Sequence, residues 1–185
     1  MRVSRQKAME NRQRIVDAAS RLFRDEGFDG VGVDAIMKEA ELTHGGFYGH
    51  FASKDALMAE AITHADERSS AWQDRLESLS ELVTSYLSDR HRADRANGCV
   101  VAALGADAAR QSPGLRKAIT ASIRQQLDRI VSMLKRGTPA ARRRHAIATY
   151  AGMVGALTLA RAVDDPALAR EILAAARDAF GEEAS

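Results

Sequence analysis

The chain has 185 residues, 45% of them hydrophobic and 28% charged, an ordinary balance for a soluble globular protein with one sizeable core or two small domains. Its formal net charge of +2 is too small to announce a nucleic-acid partner alone, and a sequence pI near 8.9 adds little. No apolar stretch approaches the roughly 18 residues of a membrane span, and the N-terminus has no apolar core followed by a cleavage site, so a cytoplasmic protein is expected, with no membrane partner. The single cysteine, Cys99, excludes an internal disulfide and a cysteine-based zinc site.

In chain order, residues 1 to 24 carry Arg2, Arg5, Lys7, Arg12, Arg14, Arg21 and Arg24 against only Glu10 and Asp17, a local basic patch. Residues 1 to about 8 read as a mobile arm that adds phosphate contacts, ahead of a first helix burying Ile15, Ala18, Ala19, Leu22 and Phe23. Residues 27 to 58 then read as two short helices around a tight turn. The first has Val33, Ile36, Met37 and Ala40 at helical spacing behind Gly32 as N-cap. Glu41 and Leu42 make the turn. Thr43 caps a very short helix from His44 to about His50, with Phe47 and Phe51 inward and His44, Tyr48 and His50 outward, and Ser53 caps the next helix.

Groove geometry explains why these residue types suit DNA. A helix enters the major groove only if its leading side chains are small or can bond to bases. Gly45 and Gly46 meet the size condition, although each costs a helix about 1 kcal/mol relative to alanine. Tyr48 offers a hydroxyl, His50 an imidazole N–H and Lys54 an ammonium beside a helix N-terminus, all suited to phosphate. The candidate DNA-binding residues are therefore Thr43, His44, Gly45, Gly46, Tyr48, His50 and Lys54, and the implied partner is double-stranded DNA.

Beyond residue 60 the pattern stays helical. Asn97 and Gly98 break the chain before a helix from about Cys99 to Arg110, and Ser112 with Pro113 opens the next. Its period (Leu115, Ile119, Ile123, Leu127, Ile130, Leu134) runs almost to Gly137. Thr138 with Pro139 opens a helix through about Ala162, and Asp165 with Pro166 opens the last, ending near Gly181. The fold class is all-α: an N-terminal three-helix domain with a helix-turn-helix (1–53), then a larger helical ligand-binding and dimerisation domain (54–185).

The first third of the chain resembles the DNA-binding domain of the TetR family of bacterial regulators. The residues that carry the resemblance are Ile15, Ala18, Leu22, Phe23, Gly27, Phe28, Val33, Ile36, Ala40, Leu42, Thr43, Gly46, Phe47, Tyr48, His50, Phe51, Ser53, Lys54 and Leu57. One departure is Glu41, where the family usually has glycine. A glutamate there either accepts strain or sits in an altered turn. The resemblance implies a homodimeric repressor of a near-palindromic operator, with a small organic effector, of no nameable identity, held between about residues 60 and 135.

Met58, Trp72, Tyr86, His91 and Met133 are the candidate lining of an apolar effector pocket with a polar anchor. Small residues on the last two helices, including Ala148, Gly152, Gly155, Ala156 and Ala176, let helices approach closely and, with Ile172 on the same alanine-rich face, point to a four-helix dimer interface, against packing within one subunit. Cys99, in the first turn of a helix, is a candidate redox or electrophile sensor, against a plain buried apolar role. Arg142, Arg143 and Arg144 point over nearly a full turn and read as a solvated face. Five scattered histidines show no i, i+4 pair, so no metal is expected, and no cofactor. Without a phosphate loop, a GxSxG elbow or a suggestive carboxylate pair, an enzyme is not expected either. The alternative from another class is a helical small-molecule-binding module that has lost specific DNA binding.

Overall fold

The computed structural model describes residues 5–181, which form nine α-helices and one short 3-10 helix without a strand among them. The α-helices are α1 (Arg5–Glu26), α2 (Val33–Glu39), α3 (Lys54–Gln73), α4 (Leu79–Tyr86), α5 (Asp89–Ala93), α6 (Val100–Ala108), α7 (Pro113–Met133), α8 (Pro139–Ala162) and α9 (Pro166–Phe180); His44–Gly49 is the 3-10 helix between α2 and α3. Among the described residues no helix is long and apolar enough to cross a membrane.

Local chemistry sets most boundaries. Ser53, Ser78, Ser88, Ser112, Thr138 and Asp165 each accept a backbone N–H of the first turn they cap. Pro113, Pro139 and Pro166 each open a helix, where a missing N–H costs nothing. Gly27 ends α1 at φ +81°, its N–H on the Phe23 carbonyl at 2.9 Å.

Two apolar cores follow. The first joins α1, α2, the 3-10 helix, the N-terminal half of α3, α6 and the start of α7, with Phe23, Phe28, Ile36, Phe47 and Leu57 all fully buried. The second joins α4, the end of α7, α8 and α9 around Leu79, Val83, Ile130, Met153 and Leu157. Helix α7 contributes to both, and Ile123 packs against both. The helix-turn-helix is thus a thin layer over the first core, held to the rest by α1, α3 and α6.

Three expectations change. Arg5 to Ala8 form the opening of α1 instead of an arm; residues 1 to 4, including Arg2, lie outside the described residues. The segment after the turn is 3-10, with Gly46 N–H on the Thr43 carbonyl at 3.0 Å and His50 N–H on the Phe47 carbonyl at 2.9 Å. Three glycines in six residues and too short a run for an α-helical nucleus explain the tighter winding. Arg142 and Arg143 are half-buried: Arg142 bonds the Leu134 carbonyl at 3.3 Å and Arg143 pairs with Asp128 at 2.7 Å, leaving Arg144 exposed.

The small residues of α8 divide by role. A Cβ on Gly152 would lie 2.2 Å from the Phe180 ring, and Ala156 is buried in the second core, so both serve packing of α8 on α9 within the chain. Ala148 is exposed and Gly155 faces open space. Gly152→Ala should therefore displace Phe180 and cost about 1–3 kcal/mol, read as a fall in thermal midpoint, whereas Gly155→Ala should leave the monomer's stability unchanged or slightly raised.

Candidate nucleic-acid interface and internal cavity

The turn between α2 and the 3-10 helix is a Schellman closure. The Leu42 N–H reaches the Met37 carbonyl at 2.8 Å and the Glu41 N–H the Lys38 carbonyl at 3.0 Å, with Glu41 at φ +54°. That is the position where glycine is strain-free, and a side chain there costs about 1 kcal/mol. The Glu41 carboxylate accepts from Arg14 of α1 at 2.5 Å, an exposed pair that offsets part of the strain. The turn has its usual geometry and Glu41 adopts it.

The 3-10 helix hangs on one anchor. Phe47 is fully buried, stacked on Phe51 at 5.8 Å and edge-on to Tyr48 at 5.2 Å. Its burial turns Thr43, His44, Gly45 and Tyr48 outward, Tyr48 being 70% exposed. The Thr43 hydroxyl makes no capping bond, and His44 Nδ1 pairs with Asp34. A Cβ at Gly45 or Gly49 would meet nothing, so the fold itself does not require glycine there. His50 is half-buried at the C-cap. Lys54 donates to the Phe28 carbonyl at 2.6 Å and lies 5.8 Å from the Phe23 ring, which places its ammonium against the chain with further donors left.

The basic patch of α1 is largely consumed by the fold. Arg12 grips Glu60 with both Nη groups, Arg14 pairs with Glu41, Arg21 with Glu39 and Lys7 with Glu10. Arg24 is buried inside the molecule. The sequence reading missed Lys38, exposed in the last turn of α2 with no ion pair among the described residues; its signal was a basic residue at the C-terminus of the first helix of the motif.

A cavity of about 470 Å³ lies where the two cores meet. Trp72, Tyr86, His91 and Cys99 line it; Met58 and Met133 do not. Met58 lies on the α3 stripe that enters the first core, and Met133 packs on the second. The wall is polar where an apolar one was expected: Arg24, Asp66, Gln73, Ser122, Gln126 and Tyr150 are all buried and all line it. Of these, only Arg24 is singled out in the sequence, as part of the basic patch. The signal was phase: Ser122 and Gln126 stand three and seven residues after Ile119, inside the apolar stripe of α7.

The wall residues hold one another. Ser122 donates to Asp66 Oδ1 at 2.8 Å, and Gln126 donates to Gln73 at 3.1 Å. His91 Nδ1 lies 2.6 Å from the Tyr86 carbonyl and Nε2 accepts the Cys99 N–H at 2.9 Å. Those two bonds define a neutral ring protonated at Nδ1, and burial accordingly pushes its pKa down. Cys99 is the N-cap of α6, not part of its first turn, and its Sγ lies 3.6 Å from the Tyr150 hydroxyl. Arg24 Nε donates to the Ala96 carbonyl at 2.7 Å, and burial lowers its pKa to about 10, so it stays charged near neutral pH.

Burial raises the Asp66 pKa from 3.8 to about 6, against the opposing pull of Ser122 and Arg24 and with a small push from Glu67. A raised carboxyl pKa means the folded state holds the proton more tightly. The stability from this group is complete below about pH 4 and is lost as pH rises through about 6. Asp66→Asn should therefore be more stable than the parent at about pH 7–8, by up to roughly 3 kcal/mol, with the gap closing below about pH 4 in denaturant titrations. Glu41→Gly should leave stability unchanged or raise it by up to about 1 kcal/mol, since relief of the left-handed strain offsets loss of the Arg14 pair.

Two family models match the chain: bacterial regulatory proteins of the tetR family over residues 15–61, and the tetracyclin repressor-like C-terminal domain over residues 73–176. The A-factor receptor protein of Streptomyces griseus is 41% identical over 64 residues, 35% of this chain and 22% of that protein. The HTH-type transcriptional regulator UidR of Escherichia coli K12 is 33% identical over 90 residues, 46% of each. The chain thus spans less than half the length of these relatives. Among solved structures, a TetR-family regulator from Cytophaga hutchinsonii superposes with a TM-score of 0.78 at 22% identity, covering 100% of both chains. The reduced form of Escherichia coli NemR superposes with 0.73 at 21% identity, covering 92% of this chain and 94% of that one, a likeness of fold. With both halves matched by its models and the helix-turn-helix in place, this chain belongs to the TetR family of DNA-binding transcriptional regulators, which are not enzymes.

Proposed function

We propose that the chain is a homodimeric repressor that binds a near-palindromic operator and is released by a small organic effector held in the internal cavity. The observation that carries the DNA reading is the outward face of the 3-10 helix: Phe47 is anchored in the core while Thr43, His44 and Tyr48 stand exposed around glycines the fold does not need. Small residues there let the backbone approach the groove floor. On this reading residues 1–53 carry the DNA contacts. Thr43, His44, Gly45 and Gly46 face bases, and Tyr48, His50 and Lys54 hold phosphates.

The dimer reading is supported by α8 and α9. Ile147 is 48% exposed, Leu159 58% and Leu168 42%, and with Ala148 and Gly155 they give the two helices an apolar outer side, while Ile172 and Ala176 are half-buried against the second core. Two such pairs packed face to face form a four-helix bundle. The dimer sets the spacing of the two recognition elements, and an effector that prefers the DNA-incompetent spacing weakens binding by its affinity ratio for the two states.

Selection from a randomised DNA library at physiological salt tests this reading. A near-palindrome with half-site centres about 34–36 Å apart is expected, and no enrichment would overturn it. On the selected operator, affinity should fall linearly with log salt. Lys54→Ala should reduce the slope by about one, and Glu41→Gly should raise affinity by freeing Arg14.

A further inference from the structure

We infer that the cavity takes an amphoteric small molecule, one whose carboxylate sits on Arg24 and whose ammonium sits on Asp66. The inference rests on the effector reading above and names the class of compound.

Its ground is a pair of buried opposite charges that do not neutralise each other. Arg24 and Asp66 both line the same cavity and are 6% and 9% exposed, yet no ion pair joins them. Arg24 spends only its Nε–H, on Ala96, so its four Nη N–H donors meet no acceptor among the described residues. Asp66 spends only Oδ1, on Ser122, leaving Oδ2 without a donor among the described residues. These open atoms face the cavity rather than the packed interior, and a site that turns two opposite charges into one opening is prepared for an occupant that meets both. The Tyr86 hydroxyl repeats the pattern: 5% exposed, at the cavity wall, it has no hydrogen-bond partner and only the weak thiol of Cys99 beside it.

The two ends select different groups. The open Nη edge of a guanidinium is planar and matches a carboxylate in a two-point bond. A phosphate lacks the planar two-point match to the guanidinium edge, although Arg68 and Arg90 line the cavity beside Asp66 and Asp94. Between the ends, Trp72, Tyr86 and Tyr150 supply ring faces for an apolar or aromatic body, and about 470 Å³ accommodates an amino-acid-sized ligand. A ligand with one charge completes one end and leaves the other bare.

The test uses the full chain and the fluorescence of Trp72, the only tryptophan, which lies in the cavity wall. Phenylalanine is titrated beside three analogues of its skeleton: 3-phenylpropanoate (acid only), phenethylamine (amine only) and phenethyl alcohol (neither). Saturable binding of phenylalanine, about tenfold tighter than either singly charged analogue, is expected. Arg24→Lys, which keeps the charge and loses the fork, should weaken phenylalanine and 3-phenylpropanoate but not phenethylamine. Asp66→Asn should weaken phenylalanine and phenethylamine but not 3-phenylpropanoate. A merely structural role for either residue would move all four compounds together. The proposal is overturned if the alcohol binds as tightly as phenylalanine, or if phenylalanine gives no saturable change in Trp72 emission at millimolar concentration. Because no DNA is present, failure here leaves the regulator reading intact, and saturable binding without operator enrichment would sink that reading alone.

Discussion

The buried guanidinium of Arg24 fixes how the DNA-binding layer sits on the rest of the molecule. It leaves the last turn of α1, enters the cavity and holds the Ala96 carbonyl in the segment between α5 and α6. Helix α5 just before it is held by Arg161 of α8, whose guanidinium donates to the carbonyls of His91 at 2.7 Å and Arg92 at 3.2 Å. Gly98 sits inside this clasp, where a Cβ would lie 2.8 Å from Arg161 and 2.9 Å from the His91 ring. Residues 91 to 99 are thus a strap tied to both cores by two guanidinium groups, the buried Arg24 and the half-buried Arg161. Moving a buried guanidinium off its acceptor leaves a desolvated charge unpaired, which costs several kcal/mol, so the strap and α1 move together or not at all. On the proposed effector reading this gives the cavity a direct route to the helix-turn-helix: an occupant that prefers another position of the strap acts on α1 through one hydrogen bond.

Charge placement gives the interface a different character from the one its composition invites. Seven basic residues in the first 24 look like a phosphate-binding patch, yet Arg12, Arg14 and Arg21 each cross to an acidic residue on a neighbouring element and lock α1 against α3, the turn and α2. Exposed pairs like these contribute little each, but they neutralise the field that would draw DNA from a distance. What remains outward is mostly hydrogen-bonding rather than charged: a threonine hydroxyl, a tyrosine hydroxyl, an imidazole and backbone amides bared by glycine. On the proposed DNA reading such a surface would discriminate by close fit at short range more than by long-range attraction, consistent with a net charge of only +2.

How much of this is legible in the sequence depends on the range of the interaction. Caps at Ser53, Ser112, Thr138 and Asp165 and the prolines that follow three of them act within one helical turn, so those boundaries read directly. The inward direction of Phe47 and outward direction of Tyr48 follow from period alone. The 3-10 winding does not, because apolar period cannot separate two helix types over six residues. The cavity was legible only in part: Trp72, Tyr86 and His91 line it, but Met58 and Met133 pack in the cores, and Asp66, Ser122 and Gln126 are polar residues in buried phases that apolar patterning does not pick out. Arg24 was invisible because its partner, Ala96, is 72 residues away and contributes only a backbone carbonyl.

The small-residue pattern of α8 carries a related lesson about what smallness means. Gly152 and Gly155 are three residues apart on one helix and look equivalent, but the Phe180 ring fills the space above Gly152 and nothing fills the space above Gly155. The first glycine is explained by its own chain. The second, with exposed Ile147, Leu159 and Leu168, is not, and leaving such side chains in water forgoes about 25 cal/mol for each Å² that a partner surface would cover. Within one chain, α9 and Phe180 take one side of α8 and leave this other side bare. A second copy presenting the same two helices would cover it with a self-complementary surface, and a two-fold axis through α8 and α9 would carry the two outward 3-10 helices as a fixed pair, as a palindromic operator requires.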